Sequence, residues 1–226
     1  MNQTKVIIFD AGTIINFAMN GLLDMLVKLK KDFKGKFIVT EKVKEEAIDR
    51  PLTIKRFELE ALMIKKLFDE NIFELPYDLV KREDMISERN KLLDLLNHTY
   101  YAKGEFMKIV HGGGTSSLAL SMILSKKGID NVVAVDERTA RMLVENPENL
   151  RQLFSQKLHT KVEMKKDISF LKDIRIIRSS ELLYLAYKKG LVDLKDHDVL
   201  EALLYAAKFK GCSISFEEIE QIKRIG

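Results

Sequence analysis

The 226-residue chain has a single cysteine and no long apolar run. Because Cys212 stands alone, the chain can form neither an internal disulfide nor a zinc site built from cysteines, as expected in a reducing compartment. No apolar run approaches the roughly 18 residues that a membrane span needs. The N-terminal run VIIF is cut by Asp10, which indicates a strand and not a signal peptide. These absences predict a soluble, cytoplasmic protein with no membrane partner.

The composition shows neither a low-complexity segment nor a bias towards disorder. With 46% hydrophobic and 32% charged residues, the chain is long enough to bury an ordinary core, and one domain spanning residues 1–226 is expected. The net charge of +4 permits a polyanionic partner but does not require one.

Short apolar strands alternate with helical patterns along most of the chain. The segments KVIIF, KFIV, NVVAV and DIRIIRSS are typical of strands, and each is followed by residues with helical spacing. Such alternation predicts a three-layer α/β/α sandwich with a mostly parallel central sheet. Residues 56–103 have no convincing strand and predict two or three helices, so residues 51–104 are expected to form a helical insertion or arm.

Carboxylates follow the strands at the edge where parallel sheets bind their ligands. Asp10 follows the first strand, Glu46 lies in the helix after the second, and Asp136 and Glu137 follow NVVAV. Converging carboxylates repel one another and need a cation, and their hard oxygen ligands favour Mg²⁺ or Mn²⁺. The alternative is that Asp10 is a turn residue, Glu46 a solvated helix position and Asp136 a helix N-cap.

The segments IIFDAGTIINF, VTEKVKEEAI and VAVDERTAR, in this order, resemble the PIN-domain nucleases. The tail RSSELLYLAYKKGLVDLKDHDVLEALLYAAKFKGCSIS is similar to the end of a prokaryotic PIN subgroup. The resemblance covers residues 1–50 and about 105–226.

This resemblance implies hydrolysis of phosphodiester bonds of RNA or DNA by a metal-activated water, with RNA favoured over DNA as the substrate. It implies Asp10, Glu46 and Asp136 as catalytic residues and metal ligands, with Glu137 as a further ligand. Glu45 is the alternative to Glu46 if the register differs by one residue.

Three further residues match positions that would contact phosphate. Thr13 lies near the first acid, where a hydroxyl contacts metal-bound water or phosphate in the family. Arg138 and Arg141 lie one helical turn apart and could reach phosphates, or they could be surface salt-bridge partners.

One family feature is missing. Where the PIN pattern places a glycine and an acid at the start of a helix, this chain has Gly114 and Thr115. A site with one acid fewer holds a second cation poorly, which predicts weakened activity. Glu137, Asp196 or Asp198 could compensate, although the last two are more simply the N-cap and first-turn acids of a helix.

The segment around that position is HGGGTSS. It predicts a helix from about Thr115 to Lys127, stopped by Gly128. Its backbone N–H groups could bind a phosphate. The residues concerned are Gly113, Gly114, Thr115 and Ser116. Equally, Thr115 or Ser116 could cap the helix after a glycine turn, with His111 a loop or packing residue.

Other hydrolase classes fit less well. The HGGG string is similar to an esterase oxyanion loop, but no GxSxG nucleophile motif is present, and no GxxxxGK[ST] phosphate loop occurs. FDAGTI resembles the haloacid-dehalogenase phosphatase motif without its second aspartate, which makes that family a minor alternative. The main alternative to a nuclease is a degenerate PIN-like module that binds nucleic acid or a protein partner. The sequence also leaves open whether the protein forms a homodimer.

Overall fold

The structure is a computed structural model that describes residues 4–110, 112–196 and 198–225. His111, assigned above to a loop or to packing, lies outside the described residues. None of the described helices combines the length and apolar character needed to cross a bilayer.

The described residues form seven strands and eleven α-helices. The strands are β1 (Lys5–Phe9), β2 (Lys36–Ile38), β3 (Tyr100–Ala102), β4 (Glu105–Phe106), β5 (Asp130–Ala134), β6 (Glu163–Met164) and β7 (Ile176–Ile177). The helices are α1 (Ala11–Met19), α2 (Leu23–Phe33), α3 (Glu41–Lys44), α4 (Glu58–Asp69), α5 (Arg82–Asn97), α6 (Gly112–Lys126), α7 (Arg138–Glu145), α8 (Pro147–Leu158), α9 (Ser179–Lys188), α10 (Val199–Phe209) and α11 (Phe216–Ile225). A π-helical turn, Glu45–Asp49, continues α3.

The central sheet has the strand order β2-β1-β5-β7, and all three pairings are parallel. Phe9 of β1 lies level with Ala134 of β5. Helices cover both faces of the sheet, so the predicted three-layer α/β/α class is confirmed.

Side chains alternate between the two faces of the sheet and divide the core into two clusters. The first cluster includes Phe9, Phe17, Phe37, Ala134, Leu182 and Leu204. The second cluster includes Ile8, Tyr100, Leu118, Val133, Val135 and Leu143. Strand β1 is therefore buried on both faces, as its uninterrupted apolar run predicts.

Residues 51–104 contribute to both clusters. Ile64 of α4 belongs to the first cluster and Leu92 of α5 to the second. The expectation that this segment contains no strand is wrong, because β3 lies within it and forms an antiparallel sheet with β4 and β6. Strand β3 lies in the segment TYYAKG, which contains no aliphatic run of the kind that marks the strands of the central sheet.

Three helices differ from what the sequence pattern indicates. Helix-compatible apolar spacing runs from residue 14 to 31, but the structure divides this part of the chain into α1 and α2 at Gly21, whose φ of 68° favours glycine. Helix α6 begins at Gly112 and not near Thr115. Helix α8 forms in a segment too polar to assign from periodicity.

Candidate functional site

Three carboxylates line one cavity of about 360 Å³ at the carboxyl ends of β1 and β5. They are Asp10, Glu46 and Glu137. The first turns of α1, α6 and α7 also line this cavity, so three helix N-termini, each with a partial positive charge, surround the acids. We call it the carboxylate cavity.

Asp10 is fixed where β1 passes into α1. Its backbone N–H donates to the Ala134 carbonyl at 2.9 Å, and its Oδ2 accepts from the Gly12 N–H at 3.3 Å. The side chain is the N-cap of α1, so the turn-residue alternative describes part of its role. Only 8% of the residue is exposed.

The surroundings of Asp10 oppose its negative charge. Its pKa is raised from 3.8 to about 6, and burial is the largest cause. The nearby carboxylates of Glu46 and Glu137 also raise this pKa, whereas hydrogen bonds from the backbone of Gly12 and Ala11 lower it. A carboxyl group that titrates near neutrality in a cavity of other acids is typical of a functional site.

Glu46 lies in the π-helical turn after α3, and its side chain reaches the carboxylate cavity. Such turns often occur at functional sites. Glu45, the alternative second acid, does not line this cavity. Its carboxylate accepts hydrogen bonds from Nζ of Lys42 and from the guanidinium group of Arg50, both at 2.5 Å, and these hydrogen bonds lower the pKa of Glu45.

The glycines of α6 allow the Glu46 carboxylate to lie against the helix backbone. A Cβ atom built on Gly113 would lie 2.9 Å from Cδ of Glu46, which is far below normal contact. A Cβ on Gly114 would meet no heavy atom within 4 Å. Gly113 is thus needed for close approach, a role that the sequence alone does not reveal.

Glu137 is the N-cap of α7. Its Oε1 accepts from the Thr139 N–H at 2.9 Å and its Oε2 from the Ala140 N–H at 2.8 Å. Glu137 is exposed, whereas Asp10 is buried. Of the two acids after β5, Glu137 is therefore the one that joins Asp10.

Asp136 does not line the carboxylate cavity. It is 2% exposed, and its Oδ1 accepts from the Ser179 N–H at 2.8 Å at the start of α9. Burial raises its pKa despite that hydrogen bond. The structure thus separates Asp136 from the acids with which the sequence grouped it, and the suggestion that it caps the helix at 137 also fails.

The alternation of side chains explains this separation. Asp10 follows Phe9, which is level with Ala134, so Asp10 is level with Val135. Asp136 then points to the opposite face, towards the first cluster, and Glu137 returns to the side of Asp10. Counting residues from the paired strand ends would have selected Glu137.

Only some of the residues predicted to contact phosphate line the carboxylate cavity. Gly113, Gly114 and Thr115 line the carboxylate cavity, but Thr13 and Ser116 do not. Thr13 is fully buried, and no described residue hydrogen-bonds its Oγ1.

Ser116 does not cap α6, which was one of the two alternatives for this segment. Ser116 Oγ donates to the Gly112 carbonyl at 2.6 Å, one turn back inside α6. Ser117 Oγ likewise donates to the Gly113 carbonyl, at 3.4 Å. The glycines are therefore helical and do not form a turn before the helix.

The two arginines lie outside the carboxylate cavity. Arg141 donates to the Ser213 carbonyl at 2.6 Å and pairs with Glu145 at 3.2 Å, so the salt-bridge alternative describes it. Arg138 is exposed beside the cavity. Asp198 occupies the N-cap position of α10, and neither Asp196 nor Asp198 lines the cavity.

As placed, the acids surround a common space without converging on one point. Within the described ranges, no three His, Cys, Asp or Glu side chains are arranged to hold a metal ion. The cavity therefore presents negative charge, one proton that titrates near neutrality, and an apolar wall that includes Ile109 and Leu118.

No family model matches the chain, and comparisons with curated proteins and with solved structures found no match. The fold and the site together define an α/β/α protein with a carboxylate-lined cavity at the carboxyl edge of its parallel sheet.

Proposed function

We propose that the chain is a metal-dependent, PIN-like nuclease that hydrolyses phosphodiester bonds of RNA, with Asp10, Glu46 and Glu137 at its active centre. One observation carries this proposal: three acids from three separate elements line one cavity, and their repulsion adds to burial in raising the pKa of Asp10. Glu137 takes the place in this centre that the sequence resemblance gives to Asp136.

The donor atoms suit a hard divalent cation. Carboxylate oxygens are the ligands that Mg²⁺ and Mn²⁺ prefer, and a dication offsets the repulsion among the acids. Because no three acidic groups in the described part of the chain are arranged to hold a metal ion, binding requires Glu46 or Glu137 to change rotamer. Both are less buried than Asp10, which can remain fixed. When bound, the cation supplies Lewis-acid polarisation of the phosphate and lowers the pKa of a water molecule.

The chain itself contributes position and electrostatics. The hydrogen bonds of Asp10 to Ala134 and Gly12 hold its carboxyl group at the sheet edge. The N-termini of α1, α6 and α7 favour the negative charge that develops on a phosphate. Ile109 and Leu118 provide an apolar wall that limits access of water.

The test is cleavage of single-stranded RNA in Mn²⁺ or Mg²⁺, together with Mn²⁺ binding measured by electron paramagnetic resonance. We expect Asp10→Asn to lower the cleavage rate at least ~100-fold and to weaken Mn²⁺ binding, because it removes the central carboxylate. Asp24→Asn, at an exposed position of α2, is the matched control and should leave both unchanged. Cleavage that survives Asp10→Asn or addition of EDTA would rule out this active centre.

A second candidate is a degenerate PIN-like module that binds nucleic acid or a protein partner without cutting. It is favoured by Thr115 in the place of the expected acid, and by the absence of a preformed metal-binding group within the described residues. RNA affinity that falls with ionic strength, without Asp10-dependent cleavage or Mn²⁺ binding, would select this candidate.

A further inference from the structure

A groove of about 670 Å³ lies beside the carboxylate cavity, between α7, α10 and the start of α11. The start of α7 contributes to both spaces, since Glu137 lines the cavity and the next residue, Arg138, lines the groove. Consecutive Cα atoms are about 3.8 Å apart, which is less than the length of one nucleotide. A short chain of nucleotides with one phosphate at the carboxylates is therefore long enough to extend to the groove.

The unpaired charges of the groove are basic. Arg138 is exposed and forms no hydrogen bond or ion pair with any described residue. Lys208 donates a hydrogen bond to the Ile214 carbonyl and lies 4.2 Å from the centre of the Phe216 ring, and it has no ion pair among the described residues.

The two acids of the groove already have partners. Glu145 pairs with Arg141 at 3.2 Å, and Glu218 pairs with Arg178 at 2.8 Å. Their charges are largely neutralised, so the groove favours an anion.

One wall of the groove is an exposed aromatic ring. Phe209 is 72% exposed at the end of α10, and its ring stacks on Tyr205 at 6.1 Å with 24° between the planes. Phe216 is 52% exposed and also contacts Tyr205. An exposed phenyl ring leaves a large apolar area in water, and a ring held by a second ring is a rigid surface for stacking.

We propose that this groove binds a single-stranded segment of nucleic acid, with Arg138 contacting a phosphate and Phe209 stacking on an unpaired base. The proposal rests on the proposed function, since it gives the path by which the substrate reaches the carboxylate cavity. Cationic side chains beside exposed aromatic rings are the features with which proteins bind single strands. A duplex keeps its bases stacked on each other and cannot use Phe209.

The test is binding of labelled oligouridine, oligodeoxythymidine and a duplex, measured by fluorescence anisotropy in EDTA so that no cleavage occurs. We expect Phe209→Ala to weaken single-strand binding roughly tenfold. Arg138→Ala should weaken it as well and should reduce the salt slope by about one. Leu59→Ala, another exposed apolar truncation but on α4, is the matched control and should bind as the wild type does.

The outcomes separate this proposal from the nuclease assignment. Phe209-dependent binding of either single strand supports the groove, even if no cleavage is found. Asp10-dependent cleavage with unchanged binding by Phe209→Ala and Arg138→Ala overturns the groove and leaves the nuclease. Equal affinity for duplex and single strand also overturns it, as does binding that is insensitive to salt, which would point to a protein ligand.

Discussion

The folded structure places the carboxyl group of Asp10 in surroundings that disfavour its charged form. It is buried beside two other acids, and the hydrogen bond from Gly12 only partly compensates. Its folded-state pKa of about 6 lies above the 3.8 of an unfolded chain. The folded protein therefore binds more protons than the unfolded chain between about pH 4 and pH 6, and stability falls as pH rises through this window.

Removing the charge of Asp10 should therefore stabilise the protein at neutral pH. Roughly two pKa units correspond to about 3 kcal/mol, and this is the upper bound that we expect for the gain in Asp10→Asn at pH 8. At pH 4 the gain should nearly vanish, because the wild-type side chain is then protonated when folded. Urea unfolding at both pH values measures this change in the free energy of unfolding, and Asp24→Asn is the control at an exposed position. If Asp10→Asn raised the free energy of unfolding equally at the two pH values, the folded structure would not disfavour the charged form of Asp10.

At the scale of the element, α6 provides a wall against which Glu46 rests. Its first turn contains three glycines, and they differ in what a side chain would meet. Gly113 faces the Glu46 carboxylate, whereas Gly114 has open space around it. Glycine is unfavourable in helices relative to alanine, so a close approach is the physical reason to keep one at Gly113.

This difference gives a matched pair of variants. Gly114→Ala should raise the free energy of unfolding by up to ~1 kcal/mol and leave Mn²⁺ binding unchanged. Gly113→Ala should gain less stability, because its Cβ displaces Glu46, and it should weaken Mn²⁺ binding about tenfold. It should also lower the pKa of Asp10, measured by NMR, since a neighbouring charge moves away. If Gly113→Ala and Gly114→Ala change stability and Mn²⁺ binding equally, the position of the Glu46 carboxylate does not depend on its close approach to Gly113.

At the scale of the whole molecule, Asp136 links the central sheet to the C-terminal helices. Its carboxylate accepts from Ser179 at the start of α9, and its backbone carbonyl accepts from Ser213 at 3.1 Å. Arg178 donates to the Ser213 carbonyl at 3.0 Å, so the connection continues from α9 to the segment before α11. We assign Asp136 to folding and not to the carboxylate cavity.

Two substitutions of Asp136 test that assignment. Asp136→Ala removes a buried acceptor and should lower the free energy of unfolding by about 1–3 kcal/mol. Asp136→Asn keeps the Oδ1 acceptor for Ser179 and should retain the fold, Mn²⁺ binding and any RNA cleavage. Loss of metal binding in a folded Asp136→Asn protein would instead return Asp136 to the active centre. Calorimetric melting and Mn²⁺ titration make the comparison.

Much of the architecture follows from local sequence. Uninterrupted apolar runs predicted the strands of the parallel sheet, and the rule on strand ends located the cavity, because both depend on backbone periodicity and chain direction. The strands β3, β4 and β6 were missed because, unlike the equally short β2 and β7, they do not lie in a run of aliphatic residues. The role of Gly113 was also missed, because the carboxylate that lies against it belongs to Glu46, which is distant in sequence.

The sequence by itself determined the fold class and placed Asp10 and Glu46 near a common edge, since these depend on strand position. Only the tertiary structure decided between Asp136 and Glu137, because side chains alternate across a strand and the pairing register sets which face each occupies. Packing likewise brought Arg138 beside Lys208 and Phe209, from segments about 70 residues apart. Contacts between distant segments depend on how the helices pack on the sheet, and no local pattern in the chain encodes that.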